Sequence, residues 1–350
     1  MKKTSSSREG RSPRGPGKGP VTIEMVAQAA GVSVSTVSRI LNGTAIVSEP
    51  KRQAIDSAIA KLGFVPNPVA RGLAGGRTIS IGVITQAIDS PFYGSALRGI
   101  EDELEPAGYS ALFVSGHWNP LTEARCVELL RARRVDGIIV LTGRLTDQAL
   151  KACAKHQPVV VTGRTLKAPG LFSLNFDNFE GGRLATQHLL DLGHHRIACI
   201  SGDPDHPDAN ERLRGYRAAL EAAGIAYDPA LVSPGQYHEV SGMIALERLL
   251  DSRQQFTAIF ACNDQMAVGA ALGLHRRSLR IPDDVSLVGF DDLATSLYAF
   301  PPLSTIHQPA YEVGCLAASA MLQMLAGTRP TAEVPSPRLV VRESSRRLRG

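Results

Sequence analysis

Cysteine is scarce in this chain, with five in 350 residues: Cys126, Cys153, Cys199, Cys262 and Cys315. Their number is odd, they lie far apart and no CxxC spacing occurs. That pattern excludes a disulfide framework and a zinc-ribbon metal site, and reads as buried, reduced thiols. Long apolar runs are absent too: none approaches the roughly 20 residues that span a bilayer, and no secretory hydrophobic segment opens the chain. The expectation is a cytoplasmic protein with no membrane partner. Catalytic signatures are also lacking. No GxxxxGK[ST] cradle, no GxGxxG after a strand and no GxSxG turn is present, and His238-Glu239 lacks the second histidine of HExxH. Neither an enzyme nor a bound cofactor or metal is expected.

Positive charge is present but unevenly spread. The net charge is +5, yet residues 1–20 hold Lys2, Lys3, Arg8, Arg11, Arg14 and Lys18 against the single acid Glu9, among Ser, Gly and Pro. Such a stretch cannot bury a core and is predicted to be disordered. Two readings stand for it: a polycationic arm attracted to phosphates regardless of sequence, or a solvated tail, even an artefact of the chosen start. The length of 350 residues leaves room for a small head and two further lobes.

The head is the most informative stretch. Thr22 is an N-cap residue, Thr22-Ile23-Glu24-Met25-Val26-Ala27 opens a short helix, and Gly31 suits the left-handed position that ends it. Ser33 then caps a second helix running through Val34, Ser35, Thr36, Val37, Ser38, Arg39 and Ile40 to Asn42. Small Ala27 and Ala30 let the two helices cross closely, while Val26, Val32, Val37 and Ile40 supply an apolar face. A third helix starts at Ser48-Glu49-Pro50, with proline where its missing N–H costs little, and buries Ile55, Ala58, Ile59 and Leu62. Two helices joined across a glycine turn form a helix-turn-helix. Its second helix presents short polar side chains to a DNA major groove. Double-stranded DNA is thus the first partner expected.

From Ile79 onward short apolar strands alternate with helices. Strands are predicted at 79–85, 110–115, 137–141, 158–162, 196–201, near 231–233, at 258–261 and at 286–289. Helices are predicted to begin near Phe92, Leu121, Asp147, Asn178, Asn210, Ser241 and Asp264. Alternating βα units build parallel sheets covered on both faces. Two such sheets, with the chain crossing near Asn175 and returning near Ile306, would enclose a cleft. Ligands of open α/β sheets sit beyond the carboxyl ends of strands, which singles out Asp89, Phe92, Tyr93, Arg164, Asp177, Arg212, Asn263 and Asp291. Phe92 and Tyr93 either stack on an apolar ligand face or pack the start of their helix. Asp291-Asp292 also fits plain turn chemistry, Arg212 an ordinary surface arginine, and Asp264 a helix cap. Trp118, the lone tryptophan, follows the second strand, and surface packing is its expected role.

The whole stretch resembles the lactose-repressor/galactose-repressor family of bacterial transcription regulators. The resemblance rests on Ala29-Ala30-Gly31-Val32-Ser33, Thr36-Val37-Ser38-Arg39, Leu41-Asn42-Gly43, Val47-Ser48, Leu62-Gly63-Phe64 and Pro66-Asn67 in the head. In the core it rests on Gly193-His194-His195-Arg196-Ile197-Ala198, Arg212-Leu213-Arg214-Gly215-Tyr216, Ala261-Cys262-Asn263-Asp264, Ile281-Pro282-Asp283-Asp284-Val285-Ser286, Val288-Gly289-Phe290-Asp291-Asp292 and Val341-Arg342-Glu343-Ser344. These follow the family's order over roughly residues 21–345. Two departures stand out. Met25 replaces a first-turn acid that would favour the helix dipole, partly offset by Glu24. Gly72 lowers helix propensity by about 1 kcal/mol relative to alanine.

The resemblance implies an all-α helix-turn-helix head and a two-lobed α/β core with parallel sheets, like a periplasmic binding protein. The domains expected are a basic tail over 1–20, the head over 21–66, a hinge helix and linker over 67–78, and a core over 79–350. Lobe 1 would take about 79–174 and 307–338, and lobe 2 about 175–306 and 339–350. The core would bind a small effector of sugar type, with Arg212, Asn263 and Asp291 at effector-contacting positions. Val34, Ser35 and Arg39 are the candidates for base edges. Thr22, Ser33, Thr36, Ser38 and Asn42 suit phosphate positioning. The hinge, with Asn67, Ala70 and Leu73, would enter the minor groove and wedge Leu73 into a base step. No apolar heptads follow Ser344, so a homodimer on a pseudo-palindromic operator is expected. Release by effector is the first reading. A corepressor-dependent regulator of the same fold, or a small-molecule binding protein or enzyme without DNA affinity, are the alternatives.

Overall fold

The computed structural model describes residues 21–41, 48–64 and 77–349. The basic tail, Asn42, Asn67, Ala70, Gly72 and Leu73 therefore lie outside the described residues. The chain divides into two compact units, Met1–Thr78 and Ile79–Gly350.

In the first unit α1 (Ile23–Ala30), α2 (Val34–Leu41) and α3 (Glu49–Leu62) enclose a miniature core. Val26, Val37 and Ile55 have no exposed surface, and Ala27 and Ala58 almost none. Gly31 ends α1 at φ 65°, and its N–H bonds the Ala27 and Gln28 carbonyls. A residue without Cβ adopts that left-handed backbone freely. Ser33 Oγ accepts the Thr36 amide at 3.2 Å and so caps α2. Thr22 differs from expectation. It precedes α1 in extended backbone but caps no amide; its hydroxyl bonds the Glu24 carboxylate and holds that acid's pKa down.

The second unit contains two sheets. β1 (Ser80–Thr85), β2 (Ser110–Ser115), β3 (Gly137–Val140), β4 (Val159–Thr162) and β5 (Leu171–Leu174) pair in the order β2-β1-β3-β4-β5, all parallel. Between them run α4 (Pro91–Leu104), α5 (Pro120–Ala132) and α6 (Asp147–Ala154). The chain then leaves through α7 (Asn178–Asp191) to the second lobe. There β6 (Ile197–Ser201), α8 (Pro207–Ala222), β7 (Val232–Pro234), α9 (Glu239–Asp251), β8 (Ala258–Ala261), α10 (Asp264–Arg276), β9 (Ser286–Asp291) and β10 (Ser304–His307) follow. A further helix, α11 (Ala310–Leu325), returns to pack on the first sheet, and β11 (Arg338–Val340) closes the second. Its order is β11-β10-β9-β8-β6-β7, parallel except for the β10–β11 pair. The chain thus passes between lobes after β5, after β10 and after α11.

Four of these elements have no counterpart in the sequence reading: β5, β10, β11 and α11. The three strands are four residues or fewer. Helix α11 escapes for another reason. Of its side chains only Glu312 is exposed. A helix covered almost all round has no polar stripe, and the 3.6-residue contrast that marks amphipathic helices vanishes.

Helices α7 and α8 cross at two glycines. A Cβ on Gly182 would overlap the backbone carbonyl of Arg212, and one on Gly215 that of Phe179. The close approach holds the first turns of α8 against α7, which positions Arg212 beside Asn178.

The cysteines are unpaired thiols, four of them buried and Cys315 half-buried. Among the described residues no helix is long and apolar enough to cross a membrane, and no group of His, Cys, Asp or Glu could hold a metal ion.

Candidate functional sites: an interlobe cavity and an exposed helix face

A cavity of about 370 Å³ opens where the carboxyl ends of strands from both lobes meet. The first lobe contributes Asp89, Phe92 and Tyr93 after β1, Trp118 after β2 and Thr142 after β3. The second contributes His206, Asp208 and Arg212 after β6, Tyr237 and Glu239 after β7, Asn263 after β8, Asp291 at the end of β9 and Gln308 after β10. Parallel strands put all these termini at one edge of each sheet, so the loops converge although their residues are far apart in the chain.

Arg212 is the centre of the polar side. It is 4% exposed. Nε donates to Asn178 Oδ1 at 2.8 Å and Nη2 to Gln308 Oε1 at 2.8 Å. Nη1 donates to the Cys262 carbonyl and lies 3.5 Å from Asp291 Oδ1. The guanidinium carbon stands 3.7 Å from the centre of the Phe290 ring. Burial works against its charge, but Asp291, Tyr237 and Asp208 outweigh that and raise its pKa. Burial pushes the Asp291 carboxyl well up, and Arg212 pulls it back. Asp291 itself has φ 110°, a backbone conformation that L side chains rarely adopt. Asn263 is fixed at both ends: Oδ1 accepts the Met266 amide at 2.9 Å, capping α10, and Nδ2 donates to the Tyr237 carbonyl at 3.0 Å.

The other side is aromatic. Trp118 does not pack on the surface, as expected, but forms cavity wall, stacked on His206 at 3.6 Å between ring centres. His206 in turn stacks on Tyr237 at 5.4 Å. Phe92 and Tyr93 meet edge to face at 5.3 Å and serve both roles at once, lining the cavity and packing the start of α4. Burial draws the His206 pKa down to about 4, so the ring is neutral near pH 7. Arg144 Nη2, from the first lobe, pairs with Asp203 at 3.2 Å and Asp205 at 3.4 Å. The segment Asp203–His206 is thus gripped by two side chains of the opposite lobe. Glu123, with no exposed surface, steadies that grip by accepting the amides of Arg144 and Leu145.

Two sequence candidates do not reach the cavity. Arg164 follows β4 but turns its donors onto the carbonyls of Gly143 and Leu145, the latter at 2.7 Å, and so pins the loop before α6. Asp177 is exposed and caps α7, accepting the Glu180 amide at 2.9 Å. Conversely His206, Asp208, Tyr237 and Gln308 were not singled out. His206, Asp208 and Tyr237 follow strands that the sequence marks, so the strand-end rule covers them, whereas Gln308 follows β10, which it does not mark; how their loops fold over the cleft is not local information.

Asp264 is no helix cap. It is buried and accepts Leu293 N at 2.9 Å and the hydroxyls of Ser296 and Thr305 at 2.6 Å each. Burial raises its carboxyl from 3.8 to about 6 despite those donors. The folded state therefore holds this proton more tightly than the unfolded chain. Its contribution to stability is full below about pH 4 and is lost as pH rises to about 6, a difference of at most about 3 kcal/mol. Denaturant unfolding of wild type and Asp264→Asn should show that loss in wild type alone. Parallel pH profiles would count against it.

On the head, Thr22, Ser33, Val34, Ser35 and Arg39 are exposed, while Thr36 and Ser38 are half-buried. Val37 faces inward with no exposed surface. The Ser33 hydroxyl lies 2.9 Å from that of Ser35 and 2.8 Å from that of Thr36, a hydroxyl-rich first turn at the positive end of α2. Arg39 Nε donates to the Ser35 carbonyl at 3.3 Å.

The described residues thus form a helix-turn-helix unit and a two-lobed α/β core that encloses a polar-aromatic cavity. Residues 22–67 match the family described as bacterial regulatory proteins, lacI family, and residues 78–344 match the periplasmic binding proteins and sugar binding domain of LacI family. The chain belongs to the LacI family and is a DNA-binding transcriptional regulator. The ribose operon repressor of Escherichia coli K12 is 37% identical over 313 residues, covering 89% of this chain and 94% of that protein. The structure of the lac repressor dimer bound to operator and an anti-inducer is similar at a TM-score of 0.84, with 30% identity over 94% of this chain and all of that one. The transcriptional regulator CelR in complex with cellobiose is similar at 0.69, with 35% identity over 93% of this chain and all of that one.

Proposed function

We propose that this chain is a repressor that binds a pseudo-palindromic operator as a homodimer and is released by a small sugar-type effector held in the interlobe cavity. The observation that carries the reading is the cavity's two-sided chemistry. A buried Arg212–Asp291 pair with Asn263 and Gln308 faces an aromatic wall of Trp118, Tyr237 and Phe92. Paired donors and acceptors suit hydroxyls, and aromatic rings suit the apolar face of a sugar. The ligands of similar regulators, cellobiose in one and ribose in another, support that class. The effector works by binding one lobe arrangement better than the other. The partner DNA is read by Val34, Ser35 and Arg39, with Thr22, Ser33, Thr36 and Ser38 on phosphates, which places the action in the cytoplasm. Apolar side chains outside the core support a dimer. Val268 and Leu272 on α10 lie along one groove with Tyr298, 82% exposed, and Phe300, fully exposed, a patch that water would not favour.

Retention of genomic fragments by the full chain, followed by titration with free sugars, tests the reading. The expected result is a specific fragment released by a sugar. Tighter binding on sugar addition would identify a corepressor instead, and no specific fragment would refute the DNA reading. Arg39→Ala should weaken the specific fragment by about 1–3 kcal/mol, roughly 5- to 150-fold, with little change on random DNA.

A further inference from the structure

The proposed function leaves the charge of the effector open. Each cation in the cavity or near it is already committed to protein acceptors. Arg212 divides its donors among Asn178, the Cys262 carbonyl, Asp291 and Gln308. Arg164 holds the Gly143 and Leu145 carbonyls, and Arg144 pairs with Asp203 and Asp205 at the mouth. Among the described residues no lysine lines the cavity, and Arg212 is the only arginine that does. The acids outnumber it: Asp208 and Asp291 stand inside, Asp89 and Glu239 at the rim.

We propose that this cavity is built for an uncharged polyhydroxylated ligand and discriminates against the phosphate esters and carboxylic acids of the same sugars. The inference rests on the cavity being the effector site. Hydroxyl groups bridge an existing donor–acceptor pair without adding charge, so a neutral polyol inserts between Arg212 and Asp291 and leaves both paired. The side-chain partner for a phosphate or carboxylate is a cation with free donors, and taking Arg212 would leave Asp291 buried without its partner. Burial already drives the carboxyls of Asp208 and Asp291 upward with Arg212 beside them. His206, neutral near pH 7, brings no countercharge.

Trp118 is the only tryptophan of the chain and lies in the cavity wall, so intrinsic emission reports occupancy directly. The experiment titrates the full chain with neutral mono- and disaccharides, including ribose and cellobiose, and with the phosphate esters and uronic acids of each. Calorimetry on the same pairs guards against a ligand that binds without changing emission. The expected result is saturable binding by a neutral sugar and at least about 100-fold weaker binding by its anionic counterpart. In Asp208→Asn the gap between the pair should narrow about tenfold. Equal or tighter binding of an anionic sugar overturns this inference while leaving the effector site intact. A gap unchanged in Asp208→Asn overturns the assignment of the discrimination to the acidic lining. Binding by no sugar of either kind overturns the sugar reading itself, and this inference with it.

Discussion

Arg212→Ala is expected to destabilise the core by about 3–5 kcal/mol, the loss typical of breaking a buried charged pair. It strands Asp291, Asn178 Oδ1, Gln308 Oε1 and the Cys262 carbonyl together. The same variant should abolish the effector response. Asp291→Asn separates the two effects, because asparagine keeps the shape and tolerates positive φ. It should lower effector affinity about 10- to 150-fold, corresponding to about 1.5–3 kcal/mol for a hydrogen bond to a charged group. Operator affinity without effector should stay near wild type. Denaturant unfolding and Trp118 emission read the two losses independently. An Asp291→Asn protein released by effector at the wild-type concentration would refute the placement of the ligand between these side chains.

Val37→Asp should remove DNA binding altogether while leaving the cavity functional. Among the described residues the helix-turn-helix core rests on five buried side chains, and Val37 has no exposed surface. A carboxylate there has no partner and costs at least about 3 kcal/mol. A core in so small a head rarely supplies more than about 3–5 kcal/mol in total, so the head should unfold. Loss of helical circular dichroism with unchanged sugar binding is the signature. Retained operator binding would mean that Val37 is not in the core the structure describes.

Much of the head was legible because its determinants are local: the Gly31 turn, the Ser33 cap and the apolar spacing of Val26, Val37 and Ile55. Thr22 shows the limit of that legibility, since its hydroxyl donates to the Glu24 carboxylate instead of accepting a free amide. In the core, the strand-end rule found six of the residues that line the cavity, namely Asp89, Phe92, Tyr93, Arg212, Asn263 and Asp291. It misplaced Arg164 and Asp177 for one reason: a strand end says where a residue begins, not which backbone groups nearby will take its hydrogen bonds.

The sequence by itself determined the alternation of βα units, the helix-turn-helix and, through motifs running in order along the chain, the family. Those features depend on periodicity, caps and turn residues within a few positions of one another. Only the tertiary structure decided that Trp118 of one lobe stacks on His206 of the other and that Asp264 is a buried acceptor rather than a cap. The same holds for Arg212, whose acceptors lie 34, 50, 79 and 96 positions away. Such pairings follow from where two sheets and their loops come together in space, and no local pattern encodes that.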